Sequence, residues 1–156
     1  MRKTFQKIRA MVLDQLRQGI TPEKVALTIA AAAALGVFPL LGTTTFLCLA
    51  FGVAVRLNQP LMQLVNYLVY PLQIAGIYLF VRLGERLVGA RPMSFRVEQI
   101  VGSFAADPFA FLRKFGMTGV HGIIGWFVVV VPCAFVVYGV LLPALRRAAA
   151  AWRPAA

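Results

Sequence analysis

The stretch "GVFPLLGTTTF" (residues 36–46) decides how the first half of this chain folds, because it interrupts the longest uncharged run in the sequence. That run covers residues 25–55 and exceeds the ~20 apolar residues that a transmembrane helix needs. Within it, Pro39 lacks the amide donor of a helix interior and Gly42 disfavours helix. The stretch therefore predicts two shorter helices joined by a turn.

The composition is that of a membrane protein. The chain is 60% hydrophobic with a mean hydropathy of +0.80, whereas roughly half of an ordinary soluble domain is apolar. Three uncharged runs, residues 25–55, 57–81 and 119–145, are long enough to be membrane-spanning candidates. We expect an all-α fold, a small polytopic helical membrane protein with broken, re-entrant helices and interfacial amphipathic helices. Residues 20–156 would form its single membrane domain.

The net charge of +11 falls between the apolar runs. This distribution favours anionic lipid headgroups as partners, and it argues against nucleic acid because no soluble basic face is present. All five carboxylates lie outside the apolar runs and form no catalytic constellation, so we expect neither an enzyme nor a cofactor. Two separated cysteines and one histidine do not predict a metal site.

Residues 1–19 form a separate predicted element, a basic amphipathic helix. Phe5, Ile8, Val12 and Leu16 recur at helical spacing among lysines and arginines. Such a helix lies on an anionic membrane surface or packs on the protein's own cytoplasmic face. The charged segment is too long for the start of a cleaved signal peptide, so we expect a retained, cytoplasmic N-terminus.

The helix boundaries in the first apolar run have local signals. Thr21 as the N-cap and Pro22 at the first helical position predict a helix start, with Glu23 near its positive end. This helix should continue to about Phe38, or roughly 25 Å, slightly short of a ~30 Å crossing.

The threonines after the turn predict the next helix. Thr43, Thr44 or Thr45 can cap a helix running to about Arg56. Asn58 then tolerates a left-handed helix end, and Pro60 opens a further helix.

The second half of the chain has its own interruptions. Pro71 should kink or end the helix in the run 57–81. Residues 82–118 should form short amphipathic helices, one starting at Asp107, before a final span that is kinked near Pro132. Basic residues flank each apolar run on both sides, which favours at least one re-entrant hairpin over three plain spans with kinks.

A family resemblance rests on several of these residues. The motif "GITPEKVAL" (residues 19–27), then Gly36, Pro39, Gly42 and Thr45, then "RLN" (residues 56–58), resembles the bacterial membrane family catalogued as domain of unknown function 2062. The resemblance covers roughly residues 15–145. It implies an inner-membrane location and no established activity. Some relatives are fused to glycosyltransferase domains, which implies an envelope enzyme as a partner.

Two groups of polar residues are candidates for a ligand site. Non-helical backbone inside a membrane must be buried in protein or line a polar cavity. Thr43, Thr44 and Thr45 would add hydroxyls to the free amides at a helix start, where an anion binds, or they would merely cap that helix.

The second polar group is a stripe in the next apolar run. Its members are Gln63, Asn66, Tyr70 and Gln73, which share one face of an unbroken helix. They would face the threonines across a pocket or hydrogen-bond between helices, and Arg56 or Arg82 would supply charge at its mouth.

These residues lead to two functional hypotheses for a multi-pass protein of the bacterial inner membrane. The first is a binding or transport module for an anionic small molecule or a lipid-phosphate headgroup. The second is a non-catalytic anchor or scaffold for an envelope glycosyltransferase-type enzyme. Four glycines, at positions 116, 119, 122 and 125, should let another helix approach closely, within the chain or in a homo-oligomer.

Overall fold

A computed structural model describes residues 20–91 and 108–151 of the chain. Within these ranges the regular structure is entirely α-helical, which confirms the predicted fold class. The helices are α1 (Pro22–Gly36), α2 (Thr44–Ala54), α3 (Gln59–Leu68), α4 (Tyr70–Leu87) and α5 (Pro108–Ala151). The predicted N-terminal helix of residues 1–19 and the segment 92–107 lie outside the described residues.

The first apolar run is a helical hairpin. The Thr21 hydroxyl accepts a hydrogen bond from the Lys24 amide at 3.4 Å, and Pro22 lies in the first turn, so the predicted helix start is confirmed. Helix α1 ends at Gly36, slightly before the predicted Phe38, and α2 then returns beside it. Gly42 has a φ of +82°, a conformation that glycine adopts without steric cost.

The link between α2 and α3 differs from the prediction. Asn58 is the N-cap of α3 with a φ of −73°, and its side-chain oxygen accepts from the Leu61 amide at 2.9 Å. The left-handed residue is Arg56, with a φ of 57°. The prediction for Asn58 was wrong because its side chain gains more as an N-cap, a role for which asparagine is among the best residues.

The second break changes direction without reversing the chain. Helix α3 ends at Leu68, and α4 begins at Tyr70 with Pro71 in its first turn, which confirms the predicted break. The two helix axes differ by 61°. The run 57–81 is therefore a bent pair of helices, whereas the first run folds back on itself.

Helix α5 is longer than predicted. It begins at Pro108, next to the predicted start, and it continues through Pro132 and Pro143 to Ala151. The prediction that short amphipathic helices in residues 82–118 are separate from the final span is therefore wrong for residues 108–118. Its portion Gly116–Ala150 is long and apolar enough to cross a membrane, and an 18-residue stretch within it has a mean hydropathy of 2.5. The bent α3–α4 pair passes the same test when it is taken as one span.

The described helices pack through small residues and a small core. A Cβ on Gly84 would meet the His121 carbonyl, and one on Gly125 would meet the Phe80 carbonyl, so the backbones of α4 and α5 lie in contact.

A separate apolar core joins the hairpin, α3 and the end of α5. Its fully buried members include Val25, Ala26, Ala32, Cys48, Leu61 and Met62. Of the four predicted packing glycines, Gly122 and Gly125 contact α4, and Gly116 and Gly119 have open space beside them in the described structure.

The described basic residues fall at two opposite ends of the molecule. The open end of the hairpin carries Lys24 and Arg56, and Arg146 joins them through an ion pair with Glu23 at 2.8 Å. Arg86 lies beyond Gly84, at the opposite end of α5 from Arg146. From Gly122 to Arg146, α5 advances about 36 Å at 1.5 Å per residue, slightly more than the ~30 Å hydrocarbon core of a bilayer.

Candidate functional site: hairpin turn, apolar groove and basic end

Gln73 fastens the hairpin turn to α4. Its side chain is fully buried, and its Nε2 donates to the Phe38 carbonyl at 2.8 Å and to the Leu40 carbonyl at 3.4 Å. These carbonyls belong to the non-helical turn, where no helical amide satisfies Phe38 O among the described residues. The turn therefore obtains from Gln73 a hydrogen bond that water would supply at a protein surface.

Gln63 and Asn66 extend this attachment along α3. Gln63 Nε2 donates to the Thr45 carbonyl at 3.3 Å, and its Oε1 accepts from Asn66 Nδ2 at 3.3 Å. Asn66 is buried against Gly36, where an added Cβ would lie 3.0 Å from Asn66 Oδ1. The polar stripe thus bonds the start of α2 to α3 and the turn to α4, while Asn66 packs against the end of α1.

The three threonines do not share one environment. Thr43 occupies the N-cap position of α2, but its hydroxyl donates to the Leu40 carbonyl at 2.9 Å and makes no side-chain cap to the described helix. Thr44 is buried and Thr45 is exposed. The expectation that a threonine hydroxyl caps α2 is therefore wrong for Thr43, because its backbone has φ −91° and ψ −20° instead of the extended conformation that a capping residue adopts.

The other sequence-predicted site residues lie apart from this turn. Tyr70, at the start of α4, is 49% exposed, so it does not share the buried surroundings of Asn66 and Gln73. Arg56 lies at the open end of the hairpin, about 16 Å of α2 away from Thr44. Pro39 lies beside Gly122 on α5, where an added Cβ would be 3.4 Å from Pro39 Cβ. Gln73 and Pro39 thus both join the turn to other helices, whereas Arg56 lies at the open end of the hairpin.

Sequence reasoning missed an apolar groove between the hairpin and α5. It has a volume of about 390 Å³, and its walls include Leu27, Ala31, Phe51, Trp126, Phe135 and Tyr138. Trp126 is 9% exposed and fixed in place: its Nε1 donates to the Ala34 carbonyl at 3.1 Å, and its ring meets Phe38 edge to face at 5.1 Å. A smaller groove of about 150 Å³ adjoins it, sharing Ala30 and Ala34, and extends beside Ala33 and Cys133.

The open end of the hairpin forms a basic surface, defined by Lys24, Arg56 and Arg147, all of them exposed. Within the described ranges no salt bridge involves these three side chains. The neighbouring Glu23 carboxyl has a pKa below its ordinary 4.5, first because of its own backbone amide and then because Arg146 donates to it. Glu23 is therefore an anion at neutral pH and neutralises Arg146 alone, which leaves the basic surface positive.

A comparison with known protein families covers nearly the whole molecule. Residues 5–153 match the model of a family described as an uncharacterised protein conserved in bacteria, DUF2062. The chain belongs to this family. No curated protein and no solved structure matches it. The DUF2062 hairpin described above contains the motif residues Thr21, Pro22, Pro39 and Gly42, so the sequence pattern of the resemblance corresponds to the cap and turn of one structural unit.

Proposed function

We propose that this DUF2062 protein is a membrane-embedded module that binds the phosphate headgroups of anionic lipids at its basic surface. The observation that carries the proposal is the position of Lys24, Arg56 and Arg147, which lie exposed at one end of a hairpin whose arms are apolar. Cations at the end of an apolar segment attract anionic headgroups by about 1 kcal/mol per Lys or Arg. The net charge of +11 acts in the same direction.

The exposed surface supports a membrane environment. Many large apolar side chains are exposed along α2, α4 and α5, among them Phe46 at 73%, Leu79 at 64% and Phe135 at 72%. A water-soluble monomer rarely exposes contiguous apolar surface on this scale. Lipid acyl chains cover such a surface without a hydration cost, and the apolar span in α5 provides the crossing helix.

The hydrogen bonds of the turn favour binding without transport. Gln63 and Gln73 donate their side-chain amides to backbone carbonyls of the hairpin, so these donors are already engaged. A transport pathway would need polar groups facing a cavity. The same observation is compatible with the second candidate, a scaffold for an envelope enzyme, because a rigid hairpin can carry a partner. A scaffold role alone predicts no selectivity among lipid headgroups.

We expect an anionic lipid to stabilise the purified protein more than a zwitterionic lipid does. Short-chain phosphatidylglycerol added to protein in a nonionic detergent should raise the Tm, by about 3–6 °C at ten times its Kd. Short-chain phosphatidylcholine should give little change, because its headgroup carries no net charge. Thermal unfolding followed by tryptophan fluorescence measures both shifts.

Two charge-matched double variants test where the lipid binds. Lys24→Gln with Arg147→Gln should abolish the excess shift that phosphatidylglycerol produces. Arg86→Gln with Arg91→Gln removes the same charge from the far end of the described structure and should retain that shift. If phosphatidylglycerol raises the Tm of both double variants equally, the basic surface is not the binding site. If it raises the Tm of the unsubstituted protein no more than phosphatidylcholine does, the proposed function is rejected.

A further inference from the structure

We propose that the apolar groove between α1, α2 and α5 holds one acyl chain of the same anionic lipid whose phosphate binds at the basic surface. This inference rests on the proposed function and assigns its ligand as an intact lipid instead of a free phosphate. The groove is lined by Leu27, Ala31, Phe51, Trp126, Phe135 and Tyr138, so its walls are almost entirely apolar.

The shape of the groove selects a thin occupant. Trp126 and Tyr138 line it along about 18 Å of α5, at 1.5 Å per residue. Spread over that length, the non-atom space of about 880 Å³ gives a mean cross-section of roughly 49 Å². A helix at least ~10 Å across would need about 79 Å², so a helix from a second copy of the chain does not fit inside the groove. A single hydrocarbon chain, whose carbons contact their neighbours at about 4 Å, is thin enough.

The alanines of α1 create this space. Residues 30–34 are all alanine, so α1 presents short side chains to α5 where leucine or isoleucine would fill the gap. Ala31 and Ala34 line the groove, and the bulkier Phe51 and Phe135 form its opposite walls. The alanine stretch therefore forms one smooth side of the groove between aromatic side chains. A flexible acyl chain can pack against it.

Charge at one end of the groove fixes the direction of the bound lipid. Leu27 lies one helical turn from Lys24, and Tyr138 lies on the stretch of α5 that leads to Arg146 and Arg147. A chain in the groove therefore has its headgroup beside the basic surface and its methyl end towards Trp126. In this arrangement Trp126 contacts the acyl chain and reports its presence, whereas the cations of the basic surface bind the headgroup.

Bromine on an acyl chain quenches a nearby indole, so Trp126 gives a direct test. The chain has two tryptophans, and Trp152→Phe leaves Trp126 as the only one. In phosphatidylcholine vesicles doped with chain-brominated phosphatidylglycerol, we expect saturable quenching about fivefold stronger than with chain-brominated phosphatidylcholine at equal mole fraction. Equal quenching by the two lipids would show only non-selective contact with the surrounding bilayer and would overturn the inference.

Matched variants separate the groove from the basic surface. Ala31→Leu fills the groove and should reduce quenching by the anionic lipid to the phosphatidylcholine level. Ala33→Leu, on the same helix, faces the smaller groove and should retain the excess. Val131→Phe fills the same groove from α5 and gives a second filling variant if Ala31→Leu does not fold.

The outcomes for the two proposals are distinguishable. If the filling variants keep the excess quenching and the Lys24→Gln with Arg147→Gln protein loses it, headgroup binding holds and the acyl chain lies elsewhere, which overturns the groove assignment. If the thermal shift with short-chain phosphatidylglycerol is also absent, the proposed function itself fails. Loss of the excess in Ala31→Leu and its retention in Ala33→Leu would support the groove.

Discussion

Gly84→Ala should destabilise this protein more than any other exchange of one glycine for alanine in α4. The added methyl group would lie against the His121 carbonyl, which is backbone of α5 and has no rotamer by which to move away. The two helices must therefore separate or shift, and overpacking of this kind costs about 1–3 kcal/mol or more. Urea unfolding in detergent micelles, followed by circular dichroism, measures the loss.

Gly119→Ala is the matched control for Gly84→Ala. Gly119 is also in a helix, but an added Cβ there meets none of the described atoms within 4 Å. Since alanine is favoured over glycine in helices by about 1 kcal/mol, this variant should be neutral or slightly more stable. Equal destabilisation by the two substitutions would mean that α4 and α5 do not approach each other at Gly84.

Gln73→Leu should loosen the hairpin turn. Leucine has a similar size but donates no hydrogen bond, so the Phe38 carbonyl would lose its donor and the Leu40 carbonyl one of its donors. We expect a loss of about 1–2 kcal/mol in the free energy of unfolding, the scale for a buried polar group in a membrane protein. The same urea titration measures it, and limited proteolysis between Val37 and Thr43 should become faster.

Tyr70→Phe is the control for Gln73→Leu, because both positions belong to the polar stripe that the sequence predicts. Tyr70 is 49% exposed beyond the bend, so loss of its hydroxyl should leave the stability within about 0.5 kcal/mol of the parent. If Tyr70→Phe costs as much as Gln73→Leu, the stripe faces one common pocket, contrary to the bonding described here.

The parts of this fold that depend on neighbouring residues were predictable. Thr21 and Pro22 define the start of α1 because a cap needs only a hydroxyl and a pre-set φ within one turn. Pro39, Gly42 and Pro71 break helices by their own covalent geometry. The choice of Arg56 over Asn58 as the left-handed residue was not predictable from propensity, because it depends on the cap that Asn58 makes for α3.

The candidate site was less predictable because its contacts are long-range. The sequence singles out Gln73 as a candidate ligand-site residue, but its hydrogen-bond partner is the Phe38 carbonyl, and no local pattern encodes that pairing. The groove could not be anticipated because the alanines at positions 30–34 leave space only where α5 crosses them. No sequence pattern distinguishes Trp126 from the other apolar residues of its span, but its indole N–H donates to the Ala34 carbonyl and its side chain forms part of the groove wall.

We predict that the hairpin of α1 and α2 returns to the membrane surface from which it starts. The test uses a protein with Cys48→Ala and Cys133→Ser, into which one cysteine at a time is introduced at Lys24, Arg56 or Arg91. Oriented sealed vesicles that contain each variant are treated with an impermeant maleimide. Positions 24 and 56 should label from the same side of the membrane and position 91 from the other. Labelling of positions 24 and 56 from opposite sides would mean that residues 25–55 cross the membrane once, and it would contradict a hairpin that returns to one surface.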